Sequence, residues 1–382
     1  MNVKAVEAPH DLRAFIELPY RLYRDDSIWV PPLRSEQRGQ FDPKRNPFLD
    51  HCEWQLFLAE DNGKTVGRCA AFVDRLAADS WKERIGLFGY FECTPCPAAA
   101  RLLLEAVREW LRARGCTSMR GPWSFVSQEW GMVVEGFVPS PVIMAPYNPS
   151  YYNEYLTEFG LHKVKDLLCW YVSAAEGYHV PERIRKATDA VAKRYGVRVR
   201  QVNMRRYEQE VQTVIELSNA SLTDNWGYSP VTQAEVQAMA RDMKPIIQPR
   251  GVLIAEDSTE RPIGFAIALP DVNSLLKGLN GRLFPLGLFR LLGGVPRLRR
   301  YRMFALGVIP EYHGKAVDSL LYRALYESLY TPDTWLEINY VLEDNWNMVN
   351  AINKLGAKPL RRYRVYEMAI GNGQSTTGSV SG

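Results

Sequence analysis

The sequence predicts an α/β protein in which one structural unit occurs twice. Two similar stretches carry this prediction: "WQLFLAEDNGKTVGRCAAFVD" (Trp54–Asp74) and "GVLIAEDSTERPIGFAIALPD" (Gly251–Asp271). Both read as a strand, a polar turn and a second strand with an apolar residue before its Gly. Each is followed by an apolar strand and then by leucines at helical spacing, so the same order of elements repeats along the chain.

A second repeated pattern closes each unit. "YYNEYLTEFGLHKVKDLLCWYV" and "NMVNAINKLGAKPLRRYRVYEM" both predict a short helix, a Gly after an apolar residue, a basic turn and a strand that contains Tyr. The repeats predict two domains, residues 1–175 and 195–370, joined by a linker of residues 176–194. The Gly/Ser/Thr-rich tail, residues 371–382, is predicted to be disordered because it has too little apolar surface to fold.

Composition limits the class of protein. The 382 residues are 46% hydrophobic, which is enough to bury real cores, and the net charge of +4 permits an anionic partner without calling for nucleic acid. The N-terminal "MNVKAVEAPHDLRAF" has no apolar segment typical of a signal peptide. No run of 18 apolar residues predicts a membrane-spanning helix. We therefore expect a cytoplasmic protein, either free or peripheral on the inner face of the membrane.

The six cysteines all lie in the first half of the chain. Cys93 and Cys96 form a CxxC pair, which is compatible with redox chemistry or with half of a zinc site. No second pair or neighbouring His pair completes a zinc set, and no thioredoxin-like context surrounds the pair. We therefore expect buried or incidental thiols and no metal site.

One strand–turn–helix segment has the composition of a phosphate-binding loop. In "LGVIPEYHGKAVDSLL" (Leu306–Leu321) a strand ends at Pro310, and a helix begins near Ala316. A helix start offers free N–H groups and the positive end of the helix dipole, and small residues let an anion approach them. An ordinary turn is the alternative. The predicted binding residues are Leu306, Val308, His313, Gly314, Lys315, Ala316, Asp318 and Ser319.

The first unit differs at the same position. Its segment "CTPCPAA" (Cys93–Ala99) contains no Gly and no basic residue, and its two prolines lack the N–H groups that a phosphate needs. If both turns were purely structural, the two copies would not be expected to differ in this way. The comparison therefore favours an anion site in the second unit alone, and it makes the first unit a structural or substrate-shaping partner.

The order of elements resembles that of the GNAT acyltransferase superfamily. "GVIPEYHGKAVDSLL" is similar to the superfamily's loop for the pyrophosphate of acyl-CoA, and "LEDNWNMVNAINKLGAK" is similar to its Asn-bearing helix. The resemblance implies two tandem domains, each with a mixed, mostly antiparallel sheet flanked by helices. It also implies a thioester co-substrate, either acyl-CoA or an acyl carrier protein thioester, and an amine acceptor. Asn345 would either hold the CoA arm or cap the helix that follows it.

Acyl transfer to an amine needs a base and an acid. Glu337 is the one carboxylate within the apolar strand "TWLEINYVL", where burial would raise its pKa toward neutrality, so it is the predicted base; an edge-facing Glu is the alternative. Ile352 stands where many GNAT members carry the Tyr that protonates the departing thiolate. Tyr363 and Tyr366 are the nearest substitutes and are the predicted acids.

Asn273–Arg302 is an insertion between the second hairpin and the strand that leads to the anion site. From Val272 to Pro310 the chain has no acidic residue and seven basic ones. These are Lys277, Arg282, Arg290, Arg297, Arg299, Arg300 and Arg302. Leu, Phe, Gly and Pro make up most of the remainder. This composition is typical of an element at an anionic lipid surface, although it would also suit a cover over an acyl chain or a segment packed on the core.

A narrower resemblance is to a tandem-domain bacterial group that includes the bacterial ceramide synthases. The matching stretches are "RNPFLDH" (Arg45–His51), "FGYFE" (Phe88–Glu92), "GPWSF" (Gly121–Phe125), "APYNPSYYNEYLTEFGL" (Ala145–Leu161), "NWGYSP" (Asn225–Pro230) and "VLEDNWNM" (Val341–Met348). The resemblance implies a long-chain lipid amine, such as a sphingoid base, as acceptor.

The residues predicted to meet this substrate come from two segments. They are Asn225, Trp226, Arg297, Arg299 and Arg300. "NWGYSP" would be either a lid over the substrate or a plain loop. Two other functions stay open: an aminoacyl transferase of the tandem GNAT type that uses charged tRNA, and a non-catalytic protein that binds acyl-CoA or lipid.

Overall fold

The structure is a computed structural model that describes residues 1–125, 129–222, 225–284 and 286–371. Its strands are β1 (Asn2–Ala5), β2 (Cys52–Asp61), β3 (Lys64–Asp74), β4 (Ile85–Cys93), β5 (Ser118–Gly121), β6 (Met132–Glu135), β7 (His162–Ser173), β8 (Arg198–Gln201), β9 (Val252–Glu256), β10 (Pro262–Pro270), β11 (Arg300–Val308), β12 (Trp335–Leu342) and β13 (Lys358–Ala369). Its helices are α1 (Pro9–Leu22), α2 (Arg34–Gln40), α3 (Arg75–Trp81), α4 (Pro97–Arg112), α5 (Tyr151–Glu158), α6 (Glu182–Tyr195), α7 (Tyr207–Ser221), α8 (Gln233–Met243), α9 (Asn273–Leu276), α10 (Leu286–Gly294), α11 (Val317–Leu329) and α12 (Trp346–Leu355). The tail that was predicted to be disordered lies, from residue 372 onward, outside the described residues.

All the strands belong to one sheet. Its order is β1-β2-β3-β4-β5-β13-β7-β12-β11-β10-β9-β8, and β6 pairs with β13. Among the described strands, the β4–β5 and β11–β12 pairings are parallel and the others are antiparallel. The predicted fold class, α/β with a mixed and mostly antiparallel sheet flanked by helices, is confirmed.

The two units exchange their last strands. β7 ends the first unit but pairs with β12 of the second, with Val172 opposite Leu336. β13 ends the second unit but pairs with β5 of the first, with Met368 opposite Met119. β7 and β13 also pair with each other, so the sheet runs without a break through both units.

Each unit packs a long helix on its part of the sheet, as the leucine spacing predicted. In the first unit, α4 buries Leu103 and Leu111 completely; in the second, α11 buries Leu321 and Leu325 completely. Burial of such a side chain contributes roughly 1.5–3 kcal/mol each. The predicted linker contains α6, which packs on α11 through Asp189 and Arg323.

The cysteines are free thiols, five of them buried and Cys96 partly buried, in agreement with the expectation of buried or incidental thiols. In the part of the chain that the structure describes, no helix is both long enough and apolar enough to cross a bilayer.

The two parallel strand pairs are short and then open. β11 and β12 pair only from Arg300 to Met303, and β4 and β5 pair only from Ile85 to Leu87. Beyond these points the neighbouring strands diverge, so each unit has a gap in its part of the sheet. The gap lies beside the end of β4, which leads to α4, in the first unit, and beside the end of β11, which leads to α11, in the second.

Candidate functional site

A large apolar cavity lies at the gap between β11 and β12. Its volume is about 390 Å³. Phe304 and Ala305, the first residues of β11 after its pairing with β12 ends, form part of its wall. The sheet also contributes Phe265 and Ile267, and the helices α7 and α8 cover it. The first unit closes the remaining side with His51, Trp81, Trp123 and Trp130. Both units therefore build one cavity.

The corresponding gap in the first unit is filled by the chain itself. The "GPWSF" segment runs into it, and the N–H of Trp123 donates to the carbonyl of Phe88 at 2.7 Å. A Cβ atom at Gly89 would lie 1.6 Å from the carbonyl oxygen of Trp123, so no side chain fits between these strands. The rings of Phe125 and Tyr90, 5.3 Å apart, pack beside it. The described chain therefore occupies this gap, whereas the gap of the second unit leads into the cavity.

The turn before α11 has the geometry of an anion site. Gly314 (φ 72°) and Ala316 (φ 55°) both lie in the left-handed region, and α11 begins at Val317. Backbone N–H groups in such a turn form a concave, positively polarised surface. Lys315 Nζ lies 4.3 Å from the centre of the Tyr312 ring and makes no ion pair within the described chain. We call Tyr312–Ser319 the cradle.

Three other residues of the predicted anion site have structural contacts. His313 Nε2 lies 2.8 Å from the carbonyl oxygen of Val308, so this side chain is turned back toward its own strand. Val308 itself is buried in the core. Asn345 Oδ1 accepts a hydrogen bond from Met348 N at 3.1 Å and so caps α12, the second of its two predicted roles.

Glu337 is fully buried and lies one layer behind the cavity. Its Oε1 accepts a hydrogen bond from Asn339 Nδ2 at 3.0 Å, and Asn339 Oδ1 in turn accepts one from Arg302 Nε at 3.2 Å. Arg302 lines the cavity; Glu337 and Asn339 do not. Burial raises the pKa of the Glu337 carboxyl, as its apolar strand suggested. The predicted base therefore reaches the cavity only through Asn339 and Arg302.

The predicted acids also lie off the cavity. The hydroxyl of Tyr363 accepts a hydrogen bond from Arg361 at 3.2 Å, and that of Tyr366 donates one to Asn153 at 2.9 Å. Both side chains are buried in the sheet. Neither one forms part of the wall beside Phe304.

A charged cluster that sequence reasoning missed joins the two units at the cavity wall. His51 Nδ1 lies 2.8 Å from Asp74 of β3, and His51 Nε2 lies 3.4 Å from Glu235 of α8. Burial alone would lower the pKa of His51, but its contacts with Asp74, Cys52 and Glu235 outweigh burial and raise that pKa to about 11. His51 is therefore an imidazolium between two carboxylates. The available signals were His51 in "RNPFLDH" and the Thr232–Glu235 capping box.

The predicted lid residues Asn225 and Trp226 both line the cavity. The indole of Trp226 stacks on Trp130 of the first unit at 5.9 Å, and Trp81 Nε1 donates to the carbonyl of Tyr228 at 2.8 Å. The "NWGYSP" segment is thus docked on the first unit and covers one side of the cavity.

The insertion has one face packed on the first unit and one face in solvent. Leu276 and Val295 pack beside Leu33, while Phe284 and Phe289 are 73% and 74% exposed. Leu292 of α10 is exposed on the same segment. The insertion therefore presents large apolar side chains that the described chain leaves uncovered.

Its arginines do not share one environment. Arg282, Arg290 and Arg297 are exposed. Arg300 instead donates to the carbonyl of Ser140 at 2.9 Å and lies 3.4 Å from the buried Asp271, and Arg299 donates to the carbonyls of Pro296 and Leu298. Of the three arginines predicted to meet substrate, only Arg297 is exposed to solvent, and the other two are partly buried.

Comparison with known proteins agrees with this geometry. No family model matches the chain. It is 34% identical over 369 residues to Protein YghO of Escherichia coli (strain K12), covering 94% of this chain and 93% of that protein. It is also 34% identical over 383 residues to the bacterial ceramide synthase of Caulobacter vibrioides, covering 97% and 98%.

Solved structures share the fold at low sequence identity. A tandem GNAT protein from the clavulanic acid biosynthesis pathway superposes with a TM-score of 0.58 at 14% identity, covering 97% of this chain and 98% of its own. A GCN5-related N-acetyltransferase from Sphaerobacter thermophilus gives a TM-score of 0.53 at 12% identity, covering 97% and 96%.

The duplicated sheet and its open gap place the chain in the class of proteins with the tandem GNAT fold. Within that class, the chain belongs to the family that contains the bacterial ceramide synthase of Caulobacter vibrioides.

Proposed function

We propose that this enzyme transfers an acyl group from acyl-CoA to the amine of a long-chain lipid. The observation that carries the proposal is the apolar cavity of about 390 Å³ that opens at Phe304 and Ala305. A small polar amine would gain little from walls of valine, isoleucine, methionine and tryptophan, whereas each buried methylene of a lipid contributes about 0.8 kcal/mol. The name of the Caulobacter relative points to a sphingoid base as acceptor and to ceramide as product.

The chain offers a place for each part of the reaction. The cradle would hold the pyrophosphate of CoA, because its free amides and Lys315 complement negative charge. The part of β11 that no longer pairs with β12 would place the thioester carbonyl beside Phe304. The amine nitrogen then forms a bond to the carbonyl carbon, the carbon–sulfur bond breaks, and the proton lost by the amine ends on the sulfur. Glu337 is the proposed base. Its hydrogen bonds to Asn339, and of Asn339 to Arg302, hold it behind the cavity, and because neither of these groups accepts a proton, the amine proton would reach Glu337 through a water molecule.

The cradle supports CoA as donor, and an acyl carrier protein thioester is the alternative. Both donors carry a phosphopantetheine arm, so the gap in the sheet suits either. CoA brings an additional pyrophosphate, which is the group that an amide-rich turn with a free lysine complements.

The function is tested by offering purified protein two amines with the same acyl-CoA. We expect transfer to a long-chain amine such as sphinganine and at least tenfold slower transfer to a short polar amine such as ethanolamine, because only the first fills the cavity. Amide product is measured by mass spectrometry. Rapid acylation of ethanolamine without acylation of sphinganine would rule out the proposal.

The insertion supports a location on anionic membrane. Phe284, Phe289 and Leu292 would enter the headgroup region, while Arg290 and Arg297 meet anionic lipid. The same insertion packs against Ile246, whose neighbours Met243 and Ile247 line the cavity. A lipid amine bound at this surface would therefore lie beside the cavity in which it reacts.

Binding to vesicles tests this surface. We expect the protein to sediment with vesicles that contain 30% phosphatidylglycerol more than with pure phosphatidylcholine vesicles. Changing Arg290 and Arg297 to Ser should remove most of the preference, since each contributes about 1 kcal/mol. Added salt should weaken it as well.

Changing Phe284, Phe289 and Leu292 to Ser should reduce binding to both kinds of vesicle. Trp346→Ser is the matched control, because Trp346 is 68% exposed but lies on α12, outside the insertion. Equal binding by all variants would show that the insertion does not dock on lipid.

A further inference from the structure

The cavity contains a buried arginine that is held on one side only. Arg302 is 2% exposed and lines the cavity. Its Nε donates to Asn339, and its Nη1 donates to the carbonyls of Ile143, at 2.8 Å, and Met144. Its Nη2 has no hydrogen-bond partner among the residues that the structure describes. One edge of the guanidinium is thus fixed, and the other has an unused donor.

The contacts of Arg302 are neutral. Within the described chain no carboxylate lies within 4.0 Å of it, although its strand neighbour Arg300 pairs with Asp271 and approaches Glu337 at 3.9 Å. A buried cation without a counter-ion is costly. Five donors in a fixed plane are also the usual way to bind a negatively charged oxygen. This is the arrangement expected where a ligand supplies the missing negative charge.

The position of Arg302 relates it to the reacting atoms. Its Cζ atom lies 5.6 Å from the centre of the Phe304 ring, and both side chains line the cavity. The last paired residue between them is Met303, opposite Ile338. The free edge of Arg302 therefore lies at the point where β11 and β12 separate.

We propose that Arg302 is an oxyanion-binding group: its free Nη2 donates to the thioester carbonyl oxygen as negative charge develops on it during attack by the amine. The catalytic part of this inference rests on the proposed function, whereas binding of an anionic oxygen does not. Such a donor in a water-poor cavity stabilises the charge far more than it would in water. When the carbon–sulfur bond breaks, the oxygen becomes the neutral carbonyl of the amide and the charge passes to the sulfur, which takes up the proton.

The same charge would favour the reactive form of the acceptor. A fixed cation close to an ammonium group destabilises it and lowers the pKa of the amine. The groups of this chain that feel the charge of Arg302 are Glu129, Glu337, Asp271, Tyr340 and Cys169. Burial raises the pKa of each of them, and Arg302 opposes that rise.

Binding of dodecanoate and dodecanol to the enzyme without acyl-CoA tests the site. The two probes have the same chain and differ in the anionic head. We expect dodecanoate to bind at least tenfold more tightly by calorimetry, and Arg302→Gln to remove that difference. Arg101→Gln, which changes an exposed arginine of α4 in the first unit, should keep it. Equal affinities in the wild type, or an unchanged preference in Arg302→Gln, would overturn the proposal.

Arg302→Lys is a second variant, which keeps the test valid if Arg302→Gln does not fold. It keeps a positive charge and should retain part of the dodecanoate preference, with unchanged CoA binding.

In turnover, Arg302→Gln should lower kcat/KM for sphinganine by about 10²–10³-fold, as for loss of an oxyanion-hole donor. The acid limb of its pH–rate profile, along which the acceptor loses its proton, should move to higher pH, because the acceptor ammonium is no longer destabilised. A preference for dodecanoate without any acyl transfer would disprove the proposed function and leave the anion site standing.

Discussion

Replacing Glu337 with Gln is expected to lower turnover by about 10²–10⁴-fold with little change in CoA affinity, if Glu337 accepts the amine proton. Gln keeps the oxygen that accepts from Asn339, so the fold should be preserved. The loss should shrink at high pH, where the amine is already neutral. Turnover and CoA binding are measured across pH 6–10.

Two variants make this result specific. Glu92→Gln replaces a partly buried carboxylate beside the filled gap of the first unit, where Tyr152 donates a hydrogen bond to it, and should leave turnover nearly unchanged. Lys315→Ala should instead weaken CoA binding with a smaller effect at saturating CoA. Unchanged turnover in Glu337→Gln would remove this residue from the mechanism. A loss that is constant with pH would instead assign Glu337 to the positioning of Arg302 through Asn339.

Replacing His51 with Gln is expected to reduce the free energy of unfolding by about 3–5 kcal/mol near pH 6, because it leaves Asp74 and Glu235 buried without their cation. The folded-state pKa of His51 is raised to about 11, above the ordinary value near 6.5. Its stabilising contribution is therefore complete below about pH 6.5 and is lost as the pH rises to about 11.

Urea unfolding of the wild type and His51→Gln at pH 6, 8 and 10 gives this difference directly. It should be largest at pH 6 and smallest at pH 10. His162→Gln, at an exposed position of β7, is the control and should change stability little at any pH. A difference that grows with pH would mean that His51 is neutral in the folded protein and serves a different role.

Local patterns predicted the elements that depend on neighbouring residues. The two hairpins, the strand before the cradle and the start of α11 near Ala316 follow from apolar periodicity and from Pro and Gly positions. The contrast between "CTPCPAA" and the cradle also came from local composition. In the structure, the cradle contains left-handed residues, whereas "CTPCPAA" leads into a helix that begins at Pro97.

Contacts between distant segments left no such pattern. The exchange of β7 and β13 is a choice of partner strand, which joins residues more than 150 positions apart or in different units and is not written in the local sequence of either strand. Asp74 and Glu235 converge on His51 from different units. Arg302 looked like one of seven basic residues in an insertion suited to lipid, because sequence alone does not tell which arginine of a run turns inward.

The exchanged strands tie the folding of each half to the other. A first unit without residues 195–370 would lack β13 beside β5, and its own β7 would have neither sheet neighbour from the second unit. Both would then expose unpaired backbone groups along an open edge, which invites aggregation. We therefore expect the two units to unfold as one cooperative body rather than as separable modules.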